Sequence, residues 1–238
     1  MTWAIVPAFA GTLSAMVDEI RIDGGDGTSV SGLLEPASAP FAFGVVAHGA
    51  GATVRAPFMD GVSAGLAAEG VTCVRFNFPY VEAGRKAPDR APVLLETWRA
   101  ALDAANARAG GRPIVAGGKS LGGRMASVLA AEMGGAFPGV ALAFFGYPLH
   151  APGRTDQLRD QHLFDVRVPM LFIQGTADPL ARFDLVEGVV RRLGERARLH
   201  VVEGGDHSFR VRGARRDAEE VGRELGAVAA RFVREVIG

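Results

Sequence analysis

Short apolar runs alternate along the chain with longer segments whose apolar residues recur every three or four positions. Residues 17–22 and 30–34 flank a glycine-rich turn at 24–28 and predict a hairpin. Strand-like runs follow at 43–47 and 71–76. Between them, Phe58, Val62 and Leu66 fall at i, i+4 and i+8 behind Pro57, which predicts a helix over 57–69. Residues 91–109 place Trp98, Ala101, Leu102 and Ala105 on one helical face. A short buried run at 114–116 leads at once into a helical stretch through Met133. Residues 140–145 and 169–173 are nearly continuous apolar runs, the pattern of central parallel strands covered on both faces. Phe183, Val186, Val190 and Leu193 define a further helix and 198–202 a last strand. Val221, Leu225, Val228, Phe232 and Val236 define a closing amphipathic helix. Strands alternating with helices of this length predict βαβ units: an α/β fold with a mostly parallel central sheet and helices on both faces.

Composition narrows this picture. No repeat, low-complexity tract or linker interrupts the pattern, so residues 17–238 are expected to form one domain, with 1–16 as an N-terminal extension. Residues 1–17 are mildly apolar, lack a basic leading segment and contain Pro7, a poor match to a signal peptide. Met16 stands just before the first patterned residue, and the expectation is that 1–15 precede the natural start. A chain of 238 residues buries about seven-tenths of its unfolded surface, enough for one substantial core. Lys+Arg and Asp+Glu are both 26, which argues against nucleic-acid or membrane-surface binding driven by overall charge. No apolar run approaches the ~20 residues of a spanning helix, and a cytoplasmic protein is expected. Lys86 and Lys119 are the only lysines, an arginine-heavy usage typical of a GC-rich bacterial genome. The single cysteine, Cys73, excludes an internal disulfide and any multi-cysteine metal site, and its place within a strand makes it a core residue. There is no G-x-G-x-x-G and no H-x-x-x-H. Pro113 stands where a phosphate loop ending in Gly118-Lys119-Ser120 would need its first glycine. No cofactor and no metal are expected.

The remaining candidate chemistry is nucleophilic. Gly118-Lys119-Ser120-Leu121-Gly122 matches G-x-S-x-G, but so does Gly61-Val62-Ser63-Ala64-Gly65, as a chain with 32 glycines invites. Mechanics separate the two, because a nucleophile elbow needs a strand entering and a helix leaving without a gap. Ser120 follows Ile114-Val115-Ala116-Gly117 directly and precedes Leu121, Met125, Val128 and Leu129 at helical spacing. Ser63 lies inside a helical pattern and reads as an ordinary helix serine, its glycines serving close helix–sheet packing. A serine hydroxyl needs an imidazole to take its proton and a carboxylate to hold that imidazole. Of the five histidines, His200 alternates within a strand and His48 reads as a buried structural residue at a strand end. His207 lies in the glycine-rich loop 203–209 after the last strand, at the strand edge where open α/β sheets place their sites. Asp178 follows the preceding strand directly. Its competitor Asp206 is badly aimed at the ring of its own neighbour and reads as a loop-capping carboxylate. The order Ser120, Asp178, His207 is that of the α/β-hydrolase fold. Two N–H donors are needed for the oxyanion of acyl transfer. Leu121, just past the nucleophile, supplies one, and the 48–51 turn supplies the other, from Ala50 or, as second choice, Gly51.

With these residues in place the chain resembles the α/β-hydrolase superfamily from about Val17 onward. The resemblance rests on 47–51, 75–80, 117–124 and 145–150, together with Gln174-Gly175-Thr176-Ala177-Asp178 and Gly205-Asp206-His207-Ser208-Phe209. It is similar to the dienelactone-hydrolase-like group, and within it to the bacterial relatives of the NSL-complex subunit 3 and testis-expressed hydrolase-like proteins. The resemblance implies a serine nucleophile at Ser120, where dienelactone hydrolases proper use cysteine. About two dozen residues separate Phe145 from Pro169, too few for a large lid, which predicts an open, shallow site for small accessible acyl groups. The expected function is a carboxylesterase-like serine hydrolase acting on small-molecule esters or thioesters. The competing class is an interaction or scaffold protein on a hydrolase fold, which would have no need of all three groups. Residues 182–216 hold nine arginines against five acids. This is either a solvated helix face with a basic turn or, with Lys119, a basic rim favouring anionic acyl substrates. The pattern leaves the oligomeric state open.

Overall fold

The computed structural model describes residues 17–24 and 28–238, and the expected extension, 1–16, lies outside the described residues. Among the described residues eight strands form one sheet: β1 (Asp18–Asp23), β2 (Ser29–Glu35), β3 (Ala42–Ala47), β4 (Val71–Phe76), β5 (Ile114–Lys119), β6 (Gly139–Phe145), β7 (Met170–Gly175) and β8 (Ala197–Val202). Their spatial order is β1-β2-β4-β3-β5-β6-β7-β8. The β1–β2 and β2–β4 pairs are antiparallel and the others parallel. Helices α1 (Pro57–Ala68), α3 (Ala91–Ala109), α4 (Leu121–Met133), α5 (Phe183–Leu193) and α6 (Ala218–Ile237) connect or cover the strands, with a single turn α2 at Pro79–Glu82. No described helix is long and apolar enough to cross a membrane.

The continuous apolar runs have a direct physical reason. Alternate residues of β6 and β7 point to opposite faces, and each face has its own core. Phe144 and Phe172 join Trp98, Leu102 and Leu129 under α3 and α4. Phe145 and Ile173 join Met59, Val62, Leu225 and Phe232 under α1 and α6. The helix ends follow their local chemistry. Pro57 sits in the first turn of α1, Asp217 caps α6 by accepting the Glu219 N–H at 2.7 Å, and Gly110 closes α3 in the left-handed conformation.

The structure departs from the pattern reading in two places that matter. Strand β5 runs three residues beyond 114–116, through Gly117 and Gly118. A Cβ at Gly117 would lie 2.0 Å from the Ala143 carbonyl oxygen of β6, so the residue least favoured in strands is the one this pairing admits. The second departure concerns the glycines around Ser63, which serve helix–helix contact and not helix–sheet contact. A Cβ at Gly61 would lie 1.9 Å from the Glu219 carbonyl oxygen and one at Gly65 would lie 2.1 Å from that of Arg223, both on α6. Reciprocally, a Cβ at Gly222 or Gly226 would lie 2.3 Å from the Phe58 or Val62 carbonyl oxygen of α1. Two small-x-x-x-small pairs thus let α1 and α6 touch backbone to backbone. Ser63 itself is fully buried, and its hydroxyl donates to the Glu35 carboxylate at 2.7 Å.

This packing predicts opposite signs for one substitution. Gly222→Ala forces the two helix backbones apart and is expected to cost about 1–3 kcal/mol or more, as overpacking does. Gly188→Ala on α5, where a Cβ meets nothing within 4 Å, is expected to stabilise by about 0.5–1 kcal/mol. Urea unfolding midpoints of the two variants against the parent check both.

Candidate active site

Strand β5 ends at Lys119, α4 begins at Leu121, and Ser120 alone makes the turn, at φ 49° and ψ −111°. Only Ser120 and Phe209 among the described non-glycine residues have positive φ. Such strain costs of order 1–3 kcal/mol and persists where the surroundings enforce it. The enforcement is visible on both sides. A Cβ at Gly118 or at Gly122 would lie 2.2 or 2.3 Å from the same atom, the Ala47 carbonyl oxygen at the end of β3. The two glycines of G-x-S-x-G are therefore the positions where the turn presses against β3. The Ser120 N–H donates to the Phe145 carbonyl at 3.2 Å, tying the turn to β6 as well.

Asp178, His207 and Ser120 come together from three parts of the chain. The His207 Nδ1–H donates to Asp178 Oδ2 at 2.7 Å, leaving Nε2 to accept from the Ser120 hydroxyl at 2.9 Å. The Asp178 side chain is fully buried, and its other partners are the Leu180 N–H at 2.8 Å and the Gln174 amide at 2.6 Å. Gln174, also fully buried, accepts the Tyr147 N–H at 2.9 Å through its carbonyl end. That support was not anticipated from sequence, although Gln174 sits at the head of the stretch that carries Asp178. Asp206 plays the capping part expected of it, accepting the Ser208 and Arg210 N–H groups at 2.8 and 2.9 Å.

Leu121 is the first residue of α4, and the first intrahelical bond is made later, by the Arg124 N–H to the Ser120 carbonyl at 3.0 Å. The Leu121 N–H is thus one of the donors a helix start leaves without an internal partner. Ala50 lies in the turn after β3 and lines the same cavity as Ser120 and His207, whereas Gly51 does not. The turn stands against the serine: a side chain at Gly49 would come 3.6 Å from the Ser120 Cβ. His48 is fully buried, with Nδ1–H donating to the Gly49 carbonyl at 2.8 Å and Nε2 accepting the Phe78 N–H at 3.3 Å. Burial holds its pKa below the usual value, so it is a neutral spacer that shapes the turn.

The cavity has a volume of about 850 Å³, toward the upper end for ligand pockets and larger than the shallow site expected. Phe58, Met59, Phe209, Val221 and Leu225 give it an apolar wall, and His200 of β8 lines it as well. Among the described residues, none from 146–169 lines it. The loop after β8 bounds it instead, so the short segment where a lid would be inserted does not cover the serine.

Of the two readings left open for the basic stretch, the rim finds little support. Of the nine arginines in 182–216, only Arg210 and Arg216 line the cavity, and Arg216 is paired with Glu220 and Glu224. Arg182, Arg192 and Arg198 pair with Asp184, Asp160 and Glu235, while Arg196 donates to the Phe164 and Val166 carbonyls. Most of the basic stretch is spent on local contacts. Lys119 is not part of a rim either: its ammonium turns inward and donates to the His207 carbonyl at 2.6 Å.

Sheet order, strained serine turn and lidless cavity together define an α/β-hydrolase fold. The chain belongs to the alpha/beta hydrolase domain family, which it matches over residues 42–236. It is similar in structure to the esterase domain of a Rhodothermus marinus protein, with 16% identity, 94% of this chain and 100% of that one covered, and a TM-score of 0.71. Similar too is an α/β serine hydrolase without lid from Xanthomonas campestris, at 20% identity, 91% and 94% coverage and a TM-score of 0.69. A dienelactone hydrolase from Anabaena variabilis matches at 19% identity, 93% and 98% coverage and a TM-score of 0.71. At these identities the likeness is one of fold.

A second serine–histidine contact lies outside the cavity. Ser127 of α4 and His162 are 2.8 Å apart through Oγ and Nε2, and the Tyr147 hydroxyl is 3.3 Å from the same nitrogen. Ser127 is fully buried and its hydroxyl donates to the Arg124 carbonyl at 2.8 Å, so the contact locks the 146–169 segment onto α4. Burial first, and then the Arg124 charge, push the His162 pKa from 6.5 down to about 4. Between those values the unfolded chain binds a proton that the folded one refuses, so stability falls as pH drops from about 6.5 to about 4. Urea midpoints at pH 7 and pH 5 are expected to fall more for the parent protein than for His162→Gln.

Proposed function

We propose that the protein is a serine hydrolase that cleaves carboxylic esters or thioesters of small molecules. The observation that carries this reading is the unbroken hydrogen-bond relay from buried Asp178 through His207 to Ser120, at 2.7 and 2.9 Å, ending in an open cavity. Ser120 Oγ attacks the acyl carbon while His207 Nε2 takes its proton, and the carbonyl electron pair moves onto oxygen. The Leu121 and Ala50 N–H groups hold that oxyanion. As the tetrahedral intermediate collapses, the bond to the leaving alkoxide or thiolate breaks and His207 returns the proton to it. Water, deprotonated by His207, then releases the acyl group and regenerates Ser120. Asp178 keeps the imidazole in the tautomer that presents a bare Nε2 to the serine.

The apolar wall and the volume of about 850 Å³ support an acyl or alcohol part larger than acetyl. Within the family, the motif stretches favour the dienelactone-hydrolase-like group, beside the bacterial relatives of the NSL-complex subunit 3. Ser120 in place of a cysteine favours esters over lactones. We read residues 17–238 as one catalytic domain.

A fluorophosphonate probe tests the site without knowledge of the substrate. The parent protein is expected to be labelled, Ser63→Ala to be labelled equally, and Ser120→Ala not at all. Hydrolysis of p-nitrophenyl acyl esters by Ser120→Ala is expected to fall by about 10³-fold or more. A folded parent protein that resists the probe would sink the enzymatic reading, and labelling that survives Ser120→Ala would move the nucleophile elsewhere.

A further inference from the structure

Lys119 stands next to the proposed nucleophile, yet nothing in the relay uses it. Its chain packs beside the 48–51 turn, where a Cβ at Gly49 would lie 3.4 Å from the Lys119 Cγ. The ammonium reaches inward across the sheet edge to the loop after β8 and meets the His207 carbonyl at 2.6 Å, a short contact of the charge-assisted kind. Room for it is made by Gly146, at φ 71°, where a Cβ would come 2.9 Å from Nζ. The Phe209 ring centroid, 5.4 Å away, offers a cation–π contact.

We infer that Lys119 is a positioning residue for the proposed hydrolase: its ammonium anchors the His207 carbonyl, so that adjacent residues 119 and 120 grip one histidine by its backbone and by its ring. The inference rests on the function proposed above. The other anchors of the loop lie to either side of this peptide. The Ala177 N–H donates to the Gly205 carbonyl at 2.9 Å, and the Gly204 N–H donates to Thr176 Oγ1 at 2.8 Å. Beyond the histidine, Asp206 accepts the Ser208 and Arg210 N–H groups and Phe209 is buried against Phe58. Asp206 shapes the loop from within, whereas Lys119 ties it to the strand that carries the serine. Because Lys119 ends β5 and Ser120 follows it directly, the anchor on the His207 carbonyl and the 2.9 Å contact with its ring come from adjacent residues. A displacement near 1 Å at such a contact can cost about 10²-fold in rate.

The anchor is also titratable in a useful range. Burial pushes the Lys119 pKa from 10.5 down to about 8, against the pull of the Asp178 and Asp206 carboxylates. The charged and titratable groups facing it are those two, on the loops after β7 and β8, and the His207 imidazole. Above about pH 8 the ammonium becomes an amine, its bond to the carbonyl loses charge assistance, and the histidine loop loosens.

The test compares the parent protein with Lys119→Met and Lys119→Arg, using fluorophosphonate labelling rates from pH 6 to 10 and amide hydrogen exchange over 205–211. For the parent, labelling is expected to slow above about pH 8. Lys119→Met is expected to label about 10–100-fold more slowly at pH 7, to show no break near pH 8, and to exchange faster over 205–211. Lys119→Arg, whose guanidinium stays charged, is expected to recover part of the rate and to hold it above pH 9. Parent-like labelling by Lys119→Met at pH 7, or a break near pH 8 that persists in it, overturns the inference. Unchanged loop exchange in Lys119→Met overturns it whatever the labelling shows. A parent protein that resists the probe while the loop of Lys119→Met loosens would instead refute the catalytic reading and leave the anchor standing.

Discussion

The Ala47 carbonyl oxygen at the end of β3 lies where side chains on Gly118 and Gly122 would have to go. That one atom brings strand β5, the departing helix α4 and the 48–51 turn to a common point. Because β3 and β5 are parallel neighbours, with Ala47 paired to Gly118, the turn at Ser120 has no freedom to relax toward an ordinary conformation. The strain at Ser120 is therefore a property of strand packing and not of the serine. The same crowding brings the 48–51 turn against the serine, where a Cβ at Gly49 would lie 3.6 Å from the Ser120 Cβ.

From this fixed point a second constraint runs through the interior. The Tyr147 N–H, Gln174, Asp178, His207 and Ser120 form one hydrogen-bonded series that passes from the end of β6 through β7 to the loop after β8. A carboxylate removed from water is costly unless its oxygens are satisfied. Here Asp178 Oδ1 takes the Leu180 N–H, and Oδ2 is shared between Gln174 and His207. Gln174 is itself oriented by the Tyr147 N–H, so its amide cannot turn its oxygen toward the carboxylate. The mobile-looking, glycine-rich loop 203–209 is in fact tied at Gly204 and Gly205 to the turn after β7, at His207 to Lys119 and Asp178, and at Phe209 to the core.

Charge is handled in the same economical way. The arginine-rich stretch forms pairs and carbonyl contacts that fasten α5, β8 and α6 to their neighbours, which leaves the cavity wall mainly apolar. Buried polar groups sit at junctions between elements. Arg75 of β4 meets Glu35 of β2 and Asp60 of α1, and the Ser63 hydroxyl joins them through Glu35. These contacts hold α1 in place for its backbone-to-backbone approach to α6, and the two helices together form one wall of the cavity.

Periodicity and punctuation in the sequence specified the elements, because the alternation of strand faces and the helical stripes are local consequences of what must be buried. The placing of Ser120 at a strand–helix turn and of Ser63 inside a helix, and the direction of the parallel strands, followed from the same information. Other features needed the tertiary structure, since they depend on residues far apart in sequence meeting at close range. The buried run at 114–116 gives no sign that the strand continues through Gly117 and Gly118, which shows only when β6 is seen pressing Ala143 on Gly117. Gly61 and Gly65 read as room for the sheet until α6 arrives with Gly222 and Gly226. Gln174 shows its part only when Asp178 folds back over it. Lys119 is the sharpest case. A lone lysine beside a serine suggests a solvent-facing charge, and only a loop 88 residues further on supplies the carbonyl that turns it inward. Burial patterns are written into a chain locally, whereas which backbone atom will come up against a given residue is decided only when the layers close on one another.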